Sequence, residues 1–399
     1  LQKSNDRSIA FFSLPSDDEV HMKTFRVLTT ALAAAAFLAG CGGSDAGDQS
    51  PRVAFKTMVN FGDSLSDVGS YDVGAVALQG GGHYSINGQG ATGLAYINWT
   101  EFLAATLQLP QPCAAETGLN TIQAVIGVPP VAATFHDTGS TPCYDYAQGG
   151  ARVTNPIGPG NAALFNQADP SSYSNAIGQL TVPVQQQIAN YTAHGGTFDG
   201  DDKLVTVFAG GNDLFIQVAT FQATVAAGGD ATAAGQAAAA AMVQAATDEA
   251  TYVGQILAAG AKHVVVVNLP DVSLTPYAIS SGAQGQAFVL QLTQAFNQAL
   301  AAALPASDAL LVVDAFHASE DQAAHMAQYG LTNVTAPACT TSSSLVCTKN
   351  TLISTPDDLA ADPTKANGYE YADSVHPTPY GYRLLAELVG EQMAIKGWL

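Results

Sequence analysis

Five apolar runs of strand length punctuate the chain: Met58-Val59-Asn60-Phe61, Cys143-Tyr144-Asp145-Tyr146-Ala147, residues 203–209, 263–269 and 310–315. They read as strands that are apolar on both faces, the pattern of a parallel sheet buried between helices. Helical spacing fills the intervals. Tyr96, Trp99, Phe102, Leu103 and Leu107 recur three and four residues apart, and residues 178–194 and 284–303 also look helical. An Ala-rich region over 214–259 is helical with a break at Gly228 and Gly229, and a last amphipathic helix is predicted over 380–396. Strand and helix alternate with no internal repeat and no linker. One α/β domain is therefore expected over residues 56–399, an α/β/α sandwich around a five-stranded parallel sheet.

Two stretches interrupt the alternation. Residues 110–142 are Pro-rich and Cys-bounded without sustained periodicity, and residues 330–370 form a second Cys-bounded excursion. Both are long enough to shape a binding site. Gly88-Gln89-Gly90-Ala91-Thr92-Gly93 matches a dinucleotide fingerprint by letter, but no buried strand precedes it, so it reads as a loop entering a helix. Asp199, Asp201 and Asp202 read as a solvated acidic turn, since the further ligands of a calcium loop are missing.

The candidate chemistry sits where the predicted strands end. Ser64 follows the first run within Gly62-Asp63-Ser64-Leu65, Gly149-Gly150 follow the second, and Gly210-Gly211-Asn212-Asp213 follow the third. In an open doubly wound sheet, ligands bind beyond the carboxyl ends of the strands, where strand order reverses. If the first strand lies between the second and third, Ser64, Gly150 and Asn212 converge. Asp373 and His376 lie late in the chain on a loop stiffened by Pro377 and Pro379. A serine hydroxyl needs a base to become a nucleophile, and the imidazole needs a group that sets its tautomer and orientation. Attack on a carbonyl also needs donors for the oxyanion. The backbone N–H of Ser64, a backbone N–H at Gly150 and the Asn212 side-chain amide are suited to that task, each donor being worth about 2.7–4 kcal/mol in the barrier. Asp63 and Asp67 lie near the serine, yet the carboxylate expected to work with the base is Asp373.

Charge and export narrow the setting. Of 13 Lys plus Arg and 33 Asp plus Glu, four of each fall within residues 1–41, leaving 9 and 29, so the remainder stays near a net charge of −20. No basic patch is available for nucleic acid, and with so few cations simple esters or acylglycerols come before phospholipids as substrates. Residues 22–41 combine a basic start, a short apolar run and small residues before Cys41, as in an export signal. Residues 1–21 lack such logic, and Met22 reads as the natural start. Leu38-Ala39-Gly40-Cys41 resembles a bacterial lipoprotein box, making Cys41 a lipidation candidate; the alternative is an ordinary secretory signal. The expected location is extracytoplasmic, lipid-anchored in the envelope or else secreted, with Gly-, Ser- and Asp-rich residues 42–55 as a flexible tether. Cys113, Cys143, Cys339 and Cys347 remain, an even number for an oxidising compartment. Nearest-neighbour pairing, Cys113 with Cys143 and Cys339 with Cys347, is the expectation among three connectivities.

Phe61-Gly62-Asp63-Ser64-Leu65-Ser66-Asp67, Tyr146-Ala147-Gln148-Gly149-Gly150-Ala151, Gly211-Asn212-Asp213 and Asp373-Ser374-Val375-His376-Pro377 resemble the four ordered blocks of the GDSL, or SGNH, family of serine esterases and lipases. The resemblance covers residues 57 to about 396. It implies a flavodoxin-like, doubly wound sheet with strand order 2-1-3-4-5, Ser64 as nucleophile, His376 as general acid and base, Asp373 as its orienting carboxylate, and Ser64, Gly150 and Asn212 around the oxyanion. It implies no metal or cofactor, and a small-molecule or lipid ester as substrate. Asp145 stands where many members carry asparagine, so hydrogen bonding behind Gly150 is open to change. The choice between Gly149 and Gly150 as donor also stays open. Rival readings are acyl transfer to an alcohol, as in phospholipases and acyltransferases of the family, and a ligand-binding surface lipoprotein without catalysis.

Overall fold

In the computed structural model, the residues described are 53–121, 127–165, 177–354 and 358–399. The export segment, Cys41 and most of the 42–55 stretch lie outside them. The described chain is already packed at its start: the Val53 N–H donates to the Trp398 carbonyl at 3.1 Å, and the Phe55 ring meets His263 edge-on.

A parallel sheet forms the centre. Its strands are β1 (Thr57–Gly62), β4 (Lys203–Phe208), β5 (Val264–Val267) and β6 (Leu310–Val313), hydrogen-bonded in the order β1-β4-β5-β6. A separate antiparallel pair, β2 (Glu116–Leu119) and β3 (Val131–Phe135), lies inside the first excursion, where sequence periodicity marks no strands. The helices are α1 (Gly74–Leu78), α2 (Trp99–Thr106), α3 (Val184–Ala193), α4 (Gly211–Ala226), α5 (Ala231–Ala258), α6 (Pro276–Ser280), α7 (Gly282–Ala303), α8 (Ala315–Ala324) and α9 (Pro379–Lys396). Helices α4, α5 and α7 pack on one another, while α2 packs on α9, which also meets β6. All four residues of β5 are fully buried, as a strand covered on both faces requires.

The expected fifth strand is corrected to a shorter element. Residues 144–148 do run along the free edge of β1: Asn60 N–H donates to Tyr144 O at 3.0 Å, Tyr146 N–H to Asn60 O at 2.8 Å, and Gln148 N–H to Gly62 O at 3.2 Å. They form only an isolated parallel bridge, Asn60 with Asp145, and the sheet counts four strands among the described residues. A side chain from outside the sheet explains the brevity. The Gly62 N–H, which would continue the ladder to Tyr146 O, donates instead to Gln187 Oε1 at 2.9 Å. Asp145 Oδ1 accepts the Ala147 N–H, on the edge that faces away from β1, at 3.2 Å. Its Oδ2 accepts from Asn60 Nδ2 at 2.7 Å, and Asn60 Oδ1 in turn accepts from Thr206 Oγ1 at 2.7 Å. This buried polar chain crosses β1 and locks three neighbouring segments in register. The edge segment therefore sits where the expected order puts it, next to the first strand and opposite β4.

Helix boundaries follow local chemistry. The expected helix over 178–194 starts only at Val184, because Thr181 takes φ +52° and Pro183 supplies the N-cap. Asn98 and Glu101 form a capping box that starts α2, a feature worth about 1 kcal/mol. The break at Gly228 and Gly229 separates α4 from α5, and Asp230 caps the latter by accepting from Thr232 and Ala233. Among the described residues no helix is long and apolar enough to cross a membrane.

Candidate active site

Ser64 and Asn212 lie past the carboxyl ends of β1 and β4, Gly150 past the edge segment beside β1, and Asp373 and His376 on a loop before the last helix. Beyond β1 the chain turns at Ser64, which is 7% exposed. Ser64 Oγ stands 2.9 Å from His376 Nε2, although the two residues are 312 positions apart. On the other side of the ring, His376 Nδ1 lies 2.9 and 2.8 Å from the two carboxylate oxygens of Asp373. Asp373 and His376 occupy the tip of a tight loop closed by the Tyr371–Pro377 bridge and by the Ala372 N–H, which donates to His376 O. Thr378 then caps α9 with Pro379 in its first turn, so the loop is anchored at once by a helix start.

Asp373 is held by more than the histidine. Its Oδ1 accepts the Val375 and His376 N–H groups at 2.9 and 2.8 Å, and Oδ2 accepts the Ser344 N–H at 2.7 Å. Burial alone would raise its pKa, but the His376 imidazole and these donors outweigh burial and pull the carboxyl below its ordinary range. Asp373 therefore stays ionised and directs the Nδ1 proton of the imidazole toward itself. The opposite holds for Asp63. Burial pushes it up to about 7, only partly offset by the Leu65 N–H and the nearby His376.

The turn Gln148-Gly149-Gly150-Ala151 is closed by the Ala151 N–H, which donates to Gln148 O at 3.0 Å. Its third residue takes φ +78°, and a Cβ there would lie 2.1 Å from Pro159 O, so glycine is required at position 150. The two glycines have different duties. Gly149 N–H donates to Asp67 Oδ2 at 2.8 Å, whereas the N–H groups of Ser64 and Gly150 have no acceptor among the described residues. Asn212 lies in the first turn of α4, after Gly210 bends the chain at φ +106°, and its Nδ2 donates to Ala151 O at 2.8 Å. One amide hydrogen is thus spent on fixing the side chain, and the second remains.

Several residues outside the sequence-derived set hold this arrangement. Asp213 accepts from Arg152 Nε at 2.8 Å and from the Val153 N–H at 2.9 Å, tying the start of α4 to the chain after Gly150. Asp67 Oδ1 accepts the Gly69 and Ser70 N–H groups as well. Tyr84 lies against His376 with ring centroids 4.8 Å apart and the planes tilted by 37°, while its hydroxyl accepts from Gln179 Nε2 at 2.5 Å. Asp67 and Asp213 sit inside the quoted blocks, so their position hints at a role; nothing local marks Ser344 or Tyr84. The structure joins Cys113 to Cys143 and Cys339 to Cys347. Cys41 lies outside the described residues.

Residues 58–389 match the family described as GDSL-like Lipase/Acylhydrolase. The chain belongs to that family of ester-cleaving acyl hydrolases. A search among curated proteins finds no match.

Proposed function

We propose that the protein is a carboxylic ester hydrolase that works through an acyl-enzyme on Ser64, with His376 and Asp373 completing a triad. The observation that carries this reading is the continuous line from Ser64 Oγ through His376 to Asp373, with distances of 2.9 and 2.8 Å. In the first half-reaction Ser64 Oγ attacks the ester carbonyl carbon as its proton passes to His376 Nε2. The carbonyl oxygen becomes an oxyanion, met by the N–H groups of Ser64 and Gly150 and by the second amide hydrogen of Asn212. Collapse breaks the bond to the alcohol, which leaves with the proton from His376. Water then attacks the acyl-enzyme with His376 as base, the acid is released, and Ser64 regains its proton. Throughout, Asp373 stabilises the imidazolium by charge and orientation.

An extracytoplasmic location fits the two disulfides, and residues 22–41 would direct the chain there with Cys41 as the site of lipidation. A direct test uses Ser64→Ala, which is expected to lower hydrolysis of a short-chain nitrophenyl ester by roughly 10⁶-fold with unchanged circular dichroism. Substantial turnover by that variant rejects the serine mechanism. Product analysis with an alcohol present, comparing free acid with acylated acceptor, separates hydrolysis from acyl transfer.

A further inference from the structure

The pocket that opens at Ser64 and His376 extends between the ends of β4, β5 and β6 and α9, with walls that include Phe208, Phe215, Leu269, Val272, Leu385 and Leu388. Its described lining contains no lysine or arginine. Most of its polar side chains are committed to the fold. Asp271 Oδ1 accepts from the N–H and hydroxyl of Ser273, Ser319 Oγ donates to Phe316 O, and Thr275 Oγ1 donates to Val272 O. Glu370 is different. Its Oε2 is buried with no hydrogen-bond partner among the described residues. Its backbone is fixed, the N–H donating to Asn333 O and the carbonyl accepting the Thr378 N–H, so the side chain is presented from a rigid support beside the Asp373 and His376 loop.

A buried carboxyl oxygen without a partner costs about 1–3 kcal/mol, and a ligand that brings a donor recovers that cost. We propose that Glu370 is a specificity-determining residue and pairs with a hydroxyl on the part of the substrate that fills this pocket, selecting hydroxylated esters over plain alkyl esters. The proposal rests on the ester-hydrolase reading above. A hydroxyl fits better than an ammonium for two reasons. Burial pushes the Glu370 carboxyl up to about 7, so both of its forms occur near neutrality, and a hydroxyl can donate to one and accept from the other. An ammonium pairs only with the ionised form and would have to be desolvated among apolar walls.

The test compares glyceryl monobutyrate with butyl butyrate, and ethyl hydroxybutyrate with ethyl butyrate, by pH-stat titration of the full chain. In at least one pair the hydroxylated ester is expected to show the higher kcat/KM. That preference should fall about tenfold in Glu370→Leu and be kept in part in Glu370→Gln, which is read alone if the leucine variant does not fold. An unmoved ratio in folded variants overturns the proposal, as does a Glu370-dependent preference for choline butyrate over both hydroxylated esters. Calorimetry on Ser64→Ala with the ether and amide counterparts of the same pairs separates the two readings. If the wild type hydrolyses nothing, Glu370-dependent binding of the hydroxylated counterpart upholds the pocket and rejects only the hydrolase, whereas Glu370-independent binding rejects the pocket too.

Discussion

Gly149 and Gly150 are chemically the same residue one position apart, and only their partners distinguish them. The Gly149 N–H is occupied by Asp67 Oδ2, while the N–H of Gly150, held at φ +78° by the turn, has no acceptor among the described residues. On the proposed mechanism Asp67 would act on the oxyanion donors through the backbone, a role concealed in the sequence because it lies 82 residues from Gly149. Replacing it separates two effects. Asp67→Ala leaves the N–H groups of Gly69, Ser70 and Gly149 unpaired, each at a cost of about 1–3 kcal/mol. Asp67→Asn can keep the contacts to Gly69 and Ser70 through its oxygen but turns a donor toward the Gly149 N–H. The asparagine variant is expected to lose kcat by roughly tenfold to a hundredfold, less than the 10²–10³ typical of deleting a donor, with a smaller drop in Tm than the alanine variant. Steady-state kinetics together with calorimetry check this, and equal effects on kcat in a fully stable protein and on KM would contradict it. By contrast, Ser64, Asp373 and His376 were legible because each stands in a short block whose neighbours are turn formers.

The two disulfides look equivalent in the chain and do different work in the fold. Cys113–Cys143 closes a separation of 30 residues around the β2–β3 pair, and Cys339–Cys347 closes only 8. On the chain-entropy argument their stabilisations are roughly 4 and 3 kcal/mol. The smaller loop contains Ser344, whose N–H holds Asp373 Oδ2, and Asn87 Nδ2 pins the same loop through the carbonyls of Ser344 and Cys347 at 3.0 and 2.9 Å. Removing Cys339–Cys347 by paired serine substitution is thus expected to lower kcat at least tenfold, Asp373 having lost one of its supports, while removing Cys113–Cys143 lowers Tm more and kcat less. Thermal unfolding and kinetics on both double variants decide it; the reverse ranking would refute the division of labour. At this level sequence reading located the strands of the parallel sheet, the longer helices and both excursions, but it could not find the helices α1, α6 and α8, nor β2, which is only four residues with Glu116 and Thr117 among them, nor β3, which is largely exposed, so that neither strand has an apolar alternation to reveal it. It also overextended the second strand, since the Gly62 N–H that would continue the ladder is taken by Gln187 Oε1, 125 positions away, a partner that apolar content does not register.

Taken whole, the molecule tolerates several buried carboxyls near one another, and its stability should depend on pH accordingly. Glu249 on α5 is fully buried with neither carboxylate oxygen partnered among the described residues. Burial first, and then the negative charges of Asp63 and Asp213, place its pKa well above the ordinary 4.5. A folded-state pKa raised above the unfolded value means that the contribution to stability is complete below about 4.5 and is lost as pH climbs from there toward the folded value. Glu249→Gln is expected to match the wild type in Tm near pH 4 and to exceed it by a few degrees at pH 8. Calorimetry over that range would expose an error if the two curves stayed parallel. The chain by itself determined the alternation of buried strands and helices, the acidic balance and the blocks that mark the family, because these depend on local pattern and residue type. Tertiary structure alone decided that Ser64 and His376 meet across 312 positions, that the Gly149 N–H is taken by Asp67 while that of Gly150 is not, and that Glu370 Oε2 is left without a partner among the described residues. Those outcomes depend on which strand lies beside β1 and which donors are already taken, and hydrogen bonds between distant segments leave no periodic trace in the sequence.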